Sequence, residues 1–144
     1  MAYFLDTSAV AKLYFDESNA DLVRNLVGLE DVVFISALTN VEMTAAVEKS
    51  KRERRINSPL YRTISTQLEW DLLKAPFRAI AITVDQLAHA KQLVRRRQLR
   101  APDAIQLASA LETAKRVPGP HEFLSFDRAL SDAARLEGLK CAAL

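Results

Sequence analysis

The stretch FLDTSAVAKLYF, residues 4–15, decides how the chain is read. An apolar run ends on Asp6, Thr7 and Ser8 without a glycine, and apolar residues then resume at helical spacing: Ala9, Val10, Leu13 and Tyr14. A strand that passes straight into a helix through a carboxylate has two readings. Asp6 can cap the helix, its carboxylate accepting from free backbone N–H groups. It can also be a metal-binding acid at the carboxyl end of a parallel strand.

Working outward, the same alternation repeats. Expected strands are 2–5, 32–36, 79–83, 122–126 and 139–143. Expected helices are 7–15, 19–29, a long one reaching about Arg55, 58–74 opened by Pro59, 84–97, one opened by Pro102 and running to about Arg116, and 128–137. VVFIS (32–36) and AIAIT (79–83) are continuous apolar runs, the pattern of strands buried on both faces. Helices between strands require parallel pairing with right-handed crossovers. The predicted architecture is an α/β fold: a three-layer α/β/α sandwich on a mostly parallel sheet, one domain over 1–144.

Composition narrows the function. With 144 residues, 49% hydrophobic and 26% charged, the chain reads as an ordinary globular domain, and a net charge of +2 points to no partner. The single cysteine, Cys141, excludes an internal disulfide and a Cys-based zinc site, and fits a reducing cytoplasm. No basic stretch followed by a long apolar run suggests a signal peptide, and no apolar run is long enough to span a bilayer. Three glycines argue against a glycine-rich phosphate loop, and there is no G-x-S-x-G elbow.

Four acids stand where ligands bind in such sheets, beyond the carboxyl ends of the strands. Asp6 and Asp127 each follow a strand, Glu42 lies shortly after VVFIS, and Asp103 opens a helix. Each has a purely structural explanation. Asp6 and Asp127 can be N-caps, TNVE (39–42) reads as a capping box, and Asp103 suits the first-turn dipole. Together, without a basic partner beside them, they would repel. Oxygen-only clusters of this kind select hard cations, Mg2+ or Mn2+. Thr7 and Ser8 then offer hydroxyls or helix-start N–H groups to water or a phosphate oxygen. His89 and His121 lack further ligands and are expected to be structural, and Trp70, Tyr14, Phe15 and Tyr61 core or oligomer contacts.

Two basic runs accompany the acids. KSKRERR (49–55) carries Lys49, Lys51, Arg52, Arg54 and Arg55, and RRRQLR (95–100) carries Arg95, Arg96, Arg97 and Arg100. Each suits a helix C-terminus as a solvated face, or forms a positive ridge for a nucleic-acid backbone.

Four segments together resemble the PIN-domain ribonucleases, and most of all the VapC toxins of toxin–antitoxin pairs. They are YFLDTSAVAKLYFDE, ISALTNVEMTAAV, LRAPDAIQLASAL and FLSFDRALSDAARLEGL. The resemblance implies a Mg2+- or Mn2+-dependent endoribonuclease acting on transfer or ribosomal RNA, a homodimer, inhibited by a VapB-type antitoxin. It implies that Asp6, Glu42, Asp103 and Asp127 are the metal-site acids, with Thr7 and Ser8 at the small polar position. Gln106 departs from the pattern, standing where many relatives have histidine, and is not expected to bind metal. A competing reading is a non-catalytic module, either PIN-like and RNA-binding or receiver-like and Mg2+-binding. A receiver would carry two adjacent acids after its first strand, where this chain has DTS.

Overall fold

A computed structural model describes residues 1–15, 18–28, 31–73 and 77–143. Strand β1 (Ala2–Leu5) is wholly buried and leads into α1 (Thr7–Tyr14) and α2 (Ala20–Leu26). β2 (Val32–Ser36) follows, then α3 (Ala37–Arg52) and α4 (Ser58–Leu73). β3 (Phe77–Ile80) precedes α5 (Val84–Arg97) and α6 (Ala101–Arg116), and β4 (His121–Leu124) precedes α7 (Arg128–Leu136).

The strands form one four-stranded parallel sheet in the order β3-β2-β1-β4. The chain steps outward from β1 to β2 and β3, then crosses back over β1 to reach β4. Right-handed crossovers that step in opposite directions place their helices on opposite faces. The core divides accordingly, through the two-residue alternation of the strands. Tyr3, Leu5, Val33, Ile35 and Leu124 pack with Val10, Val23, Met43 and Ile64 of α1–α4. Phe4, Phe34 and Phe123 pack on the other face with Leu93, Leu107 and Leu130 of α5–α7. The three expected layers are therefore present. The reversal of direction falls between β1 and β4, and that gap is where open parallel sheets form their binding crevice.

Three expectations change in three dimensions. The third strand begins earlier, at Phe77 rather than 79, and it is an edge: Phe77 is buried, but Arg78 and Ala79 are exposed. The apolar run AIAIT misled because only one neighbour covers an edge strand. The expected fifth strand, 139–143, shrinks to a single bridge from Cys141 to Phe123. Phe123 N–H donates to Lys140 O at 2.8 Å and Ala142 N–H to Phe123 O at 3.0 Å, and the pairing stops there. On α2, Val23 is fully buried while Leu22 is 45% exposed, so the apolar stripe is narrower than the spacing implied. The ends expected for the second and fourth helices, residues 29 and 74, lie outside the described residues.

Candidate active site at the strand ends

The site is built from the N-terminal ends of helices at the carboxyl edge of the sheet. Asp6 follows β1 and caps α1, its Oδ1 accepting from Ala9 N–H at 3.0 Å and from the Ser8 hydroxyl at 2.7 Å. Its Oδ2 accepts from the Ser125 hydroxyl at 2.8 Å. Asp6 is 4% exposed. Burial pushes its carboxyl up to about 6; the bonds from Ser8, Ala9 N–H and Ser125 oppose this, and the charge of Asp127 adds to it.

Asp127 follows β4 and caps α7, its Oδ1 accepting from Leu130 N–H at 3.0 Å. Its own N–H donates to Ser125 Oγ at 3.0 Å, so one serine ties together the two acids that flank the crevice. Ser8 completes the tie by accepting from Phe126 N–H at 2.9 Å. Of the two ways Ser8 was expected to serve, by its hydroxyl or by a helix-start N–H, the hydroxyl is the one engaged here, orienting Asp6 and the β4–α7 turn.

Glu42 sits in the second turn of α3. The helix begins at Ala37 with Ser36 as its cap, Ser36 Oγ accepting from Leu38 N–H at 3.1 Å. The capping-box reading of TNVE is therefore wrong: Thr39 is inside the helix and fully buried. Glu42 Oε1 instead accepts from the Thr7 hydroxyl at 2.7 Å and from the Gln106 amide at 3.0 Å. Asp103 lies in the first turn of α6 behind Pro102. Its carboxyl is held above the ordinary value chiefly by burial; Arg100 opposes this, and the charges of Asp127 and Glu42 add to it. The expectation that no base stands near the acids fails here, because Arg100 Nε pairs with Asp103 Oδ2 at 3.4 Å.

The fold thus brings the acids into electrostatic range of one another, Asp103 with both Asp127 and Glu42, and Asp6 with Asp127. Among the described residues, no three His, Cys, Asp or Glu side chains form a ready-made metal-ligand cluster. The carboxylates have partners in the protein: Asp6 the two serines, Glu42 Thr7 and Gln106, Asp103 Arg100, and Asp127 the Leu130 N–H. The donor chemistry still suits a hard divalent cation. It consists only of carboxylate and hydroxyl oxygens, and two of the acids are raised partly by their acidic neighbours.

Gln106, Thr39 and Ser125 are the participants that the sequence reading did not assign to the site. A helical signal was available for two of them. Gln106 is three residues after Asp103 and Thr39 three before Glu42, so each shares a helix face with an acid. Ser125 has no such periodic mark.

The two basic runs differ. Arg96 reaches Glu137 Oε1 of the α7 C-cap at 2.6 Å and Arg97 reaches it at 3.2 Å. Burial raises the Glu137 carboxyl, but hydrogen bonds and charge from both arginines outweigh that and hold it below its ordinary value. In the other run, Lys51 lies 4.0 Å over the Tyr61 ring and Arg55 pairs with Glu53 at 3.1 Å. At 1.5 Å per helical residue, Lys49 and Arg52 lie roughly 10 and 15 Å further along α3 than Glu42. That run belongs to the far end of the helix.

The PIN domain family model matches residues 3–136. Ribonuclease VapC45 of Mycobacterium tuberculosis (strain CDC 1551 / Oshkosh) is 31% identical over 111 residues, 77% of this chain and 75% of that protein. Among solved structures, FitAcB from Neisseria gonorrhoeae superposes with a TM-score of 0.73 at 19% identity, over 98% of this chain and 96% of that one. Mycobacterium tuberculosis VapC20, described as a sarcin-ricin loop cleaving toxin, has a TM-score of 0.66 at 21% identity, over 91% of this chain and 94% of that one.

Proposed function

Because the chain belongs to the PIN-domain family, we propose that it is a VapC-type endoribonuclease, the toxin of a toxin–antitoxin pair, working from the acidic crevice between β1 and β4. What supports the reading is that Asp103 lies in electrostatic range of both Asp127 and Glu42, and Asp6 of Asp127, with Asp6 and Asp127 flanking the point where the sheet order reverses. These four acids would hold Mg2+ or Mn2+. Such an ion supplies positive charge to a scissile phosphate and acidifies a water.

The chain's own groups do the rest. Ser8 and Ser125 fix the Asp6 carboxylate, and Thr7 fixes Glu42. No histidine stands in the crevice among the described residues to deprotonate a ribose 2′-OH. A water acidified by the bound cation would be the nucleophile, leaving 5′-phosphate and 3′-hydroxyl ends. Arg100, 81% exposed beside Asp103, is placed to meet an RNA phosphate. The substrate is structured RNA, transfer or ribosomal. The protein acts in the cytoplasm as a homodimer, and a VapB-type antitoxin restrains it. No described helix is long and apolar enough to cross a membrane.

The test is incubation of the purified protein with a total transfer and ribosomal RNA pool in Mg2+, Mn2+ or EDTA. Discrete fragments with 5′-phosphate ends are expected with either metal. They should disappear in EDTA and in Asp103→Asn. Uncut RNA under every condition, with the protein folded, would favour a binding module instead.

Salt dependence separates the basic residues. Arg100→Ala should weaken RNA binding and lower the slope of log affinity against log salt by about 1. Arg96→Ala and Arg97→Ala should lower it less, since both guanidiniums are held on Glu137, whose charge offsets one of the two. Equal slopes for Arg100→Ala and wild type would remove Arg100 from the RNA path.

A further inference from the structure

The Gln106 amide joins three helices. Gln106 is 2% exposed. Its Nε2 lies 3.0 Å from Thr7 Oγ1 of α1, 2.9 Å from Thr39 Oγ1 and 3.0 Å from Glu42 Oε1 of α3. Counting protons orders this network. Thr7 spends its hydroxyl proton on Glu42 Oε1 at 2.7 Å, so across the 3.1 Å Thr7–Thr39 contact Thr39 is the donor. The two amide N–H protons face three acceptors, Thr7 Oγ1, Thr39 Oγ1 and Glu42 Oε1, of which the charged Glu42 oxygen is the strongest. Glu42 therefore receives two donors on one oxygen, from α1 and from α6.

The other end of the amide has no such reward. Gln106 Oε1 is buried with no hydrogen-bond partner among the described residues. An unpaired buried carbonyl costs folding stability. Turning the amide over would set that oxygen against the Glu42 carboxylate, acceptor against acceptor. The direction of the amide is thus dictated by Glu42. A side chain kept only for packing would serve better without the orphaned oxygen.

We propose that Gln106 is a positioning residue of the site, holding the Glu42 carboxylate together with Thr7 in the place from which it binds a divalent cation. This rests on the reading of Glu42 as a metal-site acid, and the experiment separates the two. Metal-free protein is titrated with Mn2+ alone, free ion being read from its electron paramagnetic resonance signal, for wild type, Q106M, Q106N, Q106H, E42Q and E42Q/Q106M. Q106M should weaken Mn2+ binding about tenfold or more, the scale of a lost partner behind a metal ligand. Q106N should do the same, its amide being one methylene too short to reach. Q106H, which keeps an N–H donor, should recover most of the affinity. Adding Q106M to E42Q should weaken binding no further, because the amide acts through Glu42. The melting temperature of Q106M should stay at or above that of wild type.

Wild-type Mn2+ affinity in Q106M or Q106N, with E42Q weakened, overturns the role of Gln106 and leaves Glu42 in the site. Wild-type affinity in E42Q overturns both. An equal loss on adding Q106M to wild type and to E42Q means the effect does not pass through Glu42, and also overturns the proposal. Should Q106M fail to fold, the comparison of Q106N with Q106H decides.

Discussion

Asp6→Asn is expected to melt higher than wild type at pH 8 in EDTA while losing RNA cleavage by at least about 100-fold, the scale of removing one charge-stabilising group from an active site. The stability half follows from linkage. The Asp6 carboxyl is raised from 3.8 to about 6 in the folded protein, chiefly by burial. A raised acid pKa means that the folded state holds the proton more tightly than the unfolded state. That contribution is fully present below pH 3.8 and is lost as pH rises through about 6. Above pH 6 wild type carries a buried anion, at a cost of about 3 kcal/mol for a shift of this size. A neutral amide removes the penalty but accepts weaker hydrogen bonds, so a rise of roughly 5 °C is expected. Melts at pH 3.5 should bring the two proteins together. Equal melting temperatures at pH 8 would mean that the folded protein solvates Asp6 better than its 4% exposure indicates.

Phe123→Ala should destabilise the protein by about 3–5 kcal/mol, enough to consume a large part of the stability of a typical domain. Phe123 is 2% exposed, and its ring stacks on Phe4 at 6.1 Å between centroids. Its backbone also carries both hydrogen bonds to the 140–142 segment. Truncation leaves a cavity under β4, immediately before the Leu124–Asp127 stretch that presents Ser125 to Asp6. Activity per folded molecule should therefore fall along with the midpoint of urea unfolding. A midpoint shift worth less than about 1 kcal/mol would show that the layer over β4 closes onto the space.

Where an acid's placement is local, the sequence is a good guide. Asp6 and Asp127 both follow a strand and cap a helix, and capping is decided within three residues. Where a reading needed to know what lies across the fold, it failed. TNVE has the spacing of a capping box, but Ser36 starts the helix earlier and Thr39 faces Gln106. RRRQLR was read as a solvated face or a nucleic-acid ridge, and the pairing of Arg96 and Arg97 with Glu137 was out of view because Glu137 is far along the chain. AIAIT looked buried because an apolar run does not reveal whether one sheet neighbour or two will cover it.

The alternation of strands and helices, the parallel sheet and the placement of Asp6, Asp103 and Asp127 at helix starts are all legible along the chain. Side-chain periodicity, proline and caps are short-range physics. The strand order, which sets the crevice between β1 and β4, and the partners that hold each acid arise from packing in three dimensions. Ser125 meets Asp6 across 119 residues of chain, and Gln106 meets Glu42 across 64. Such pairs come from how helices cross over a sheet, and no local pattern encodes them.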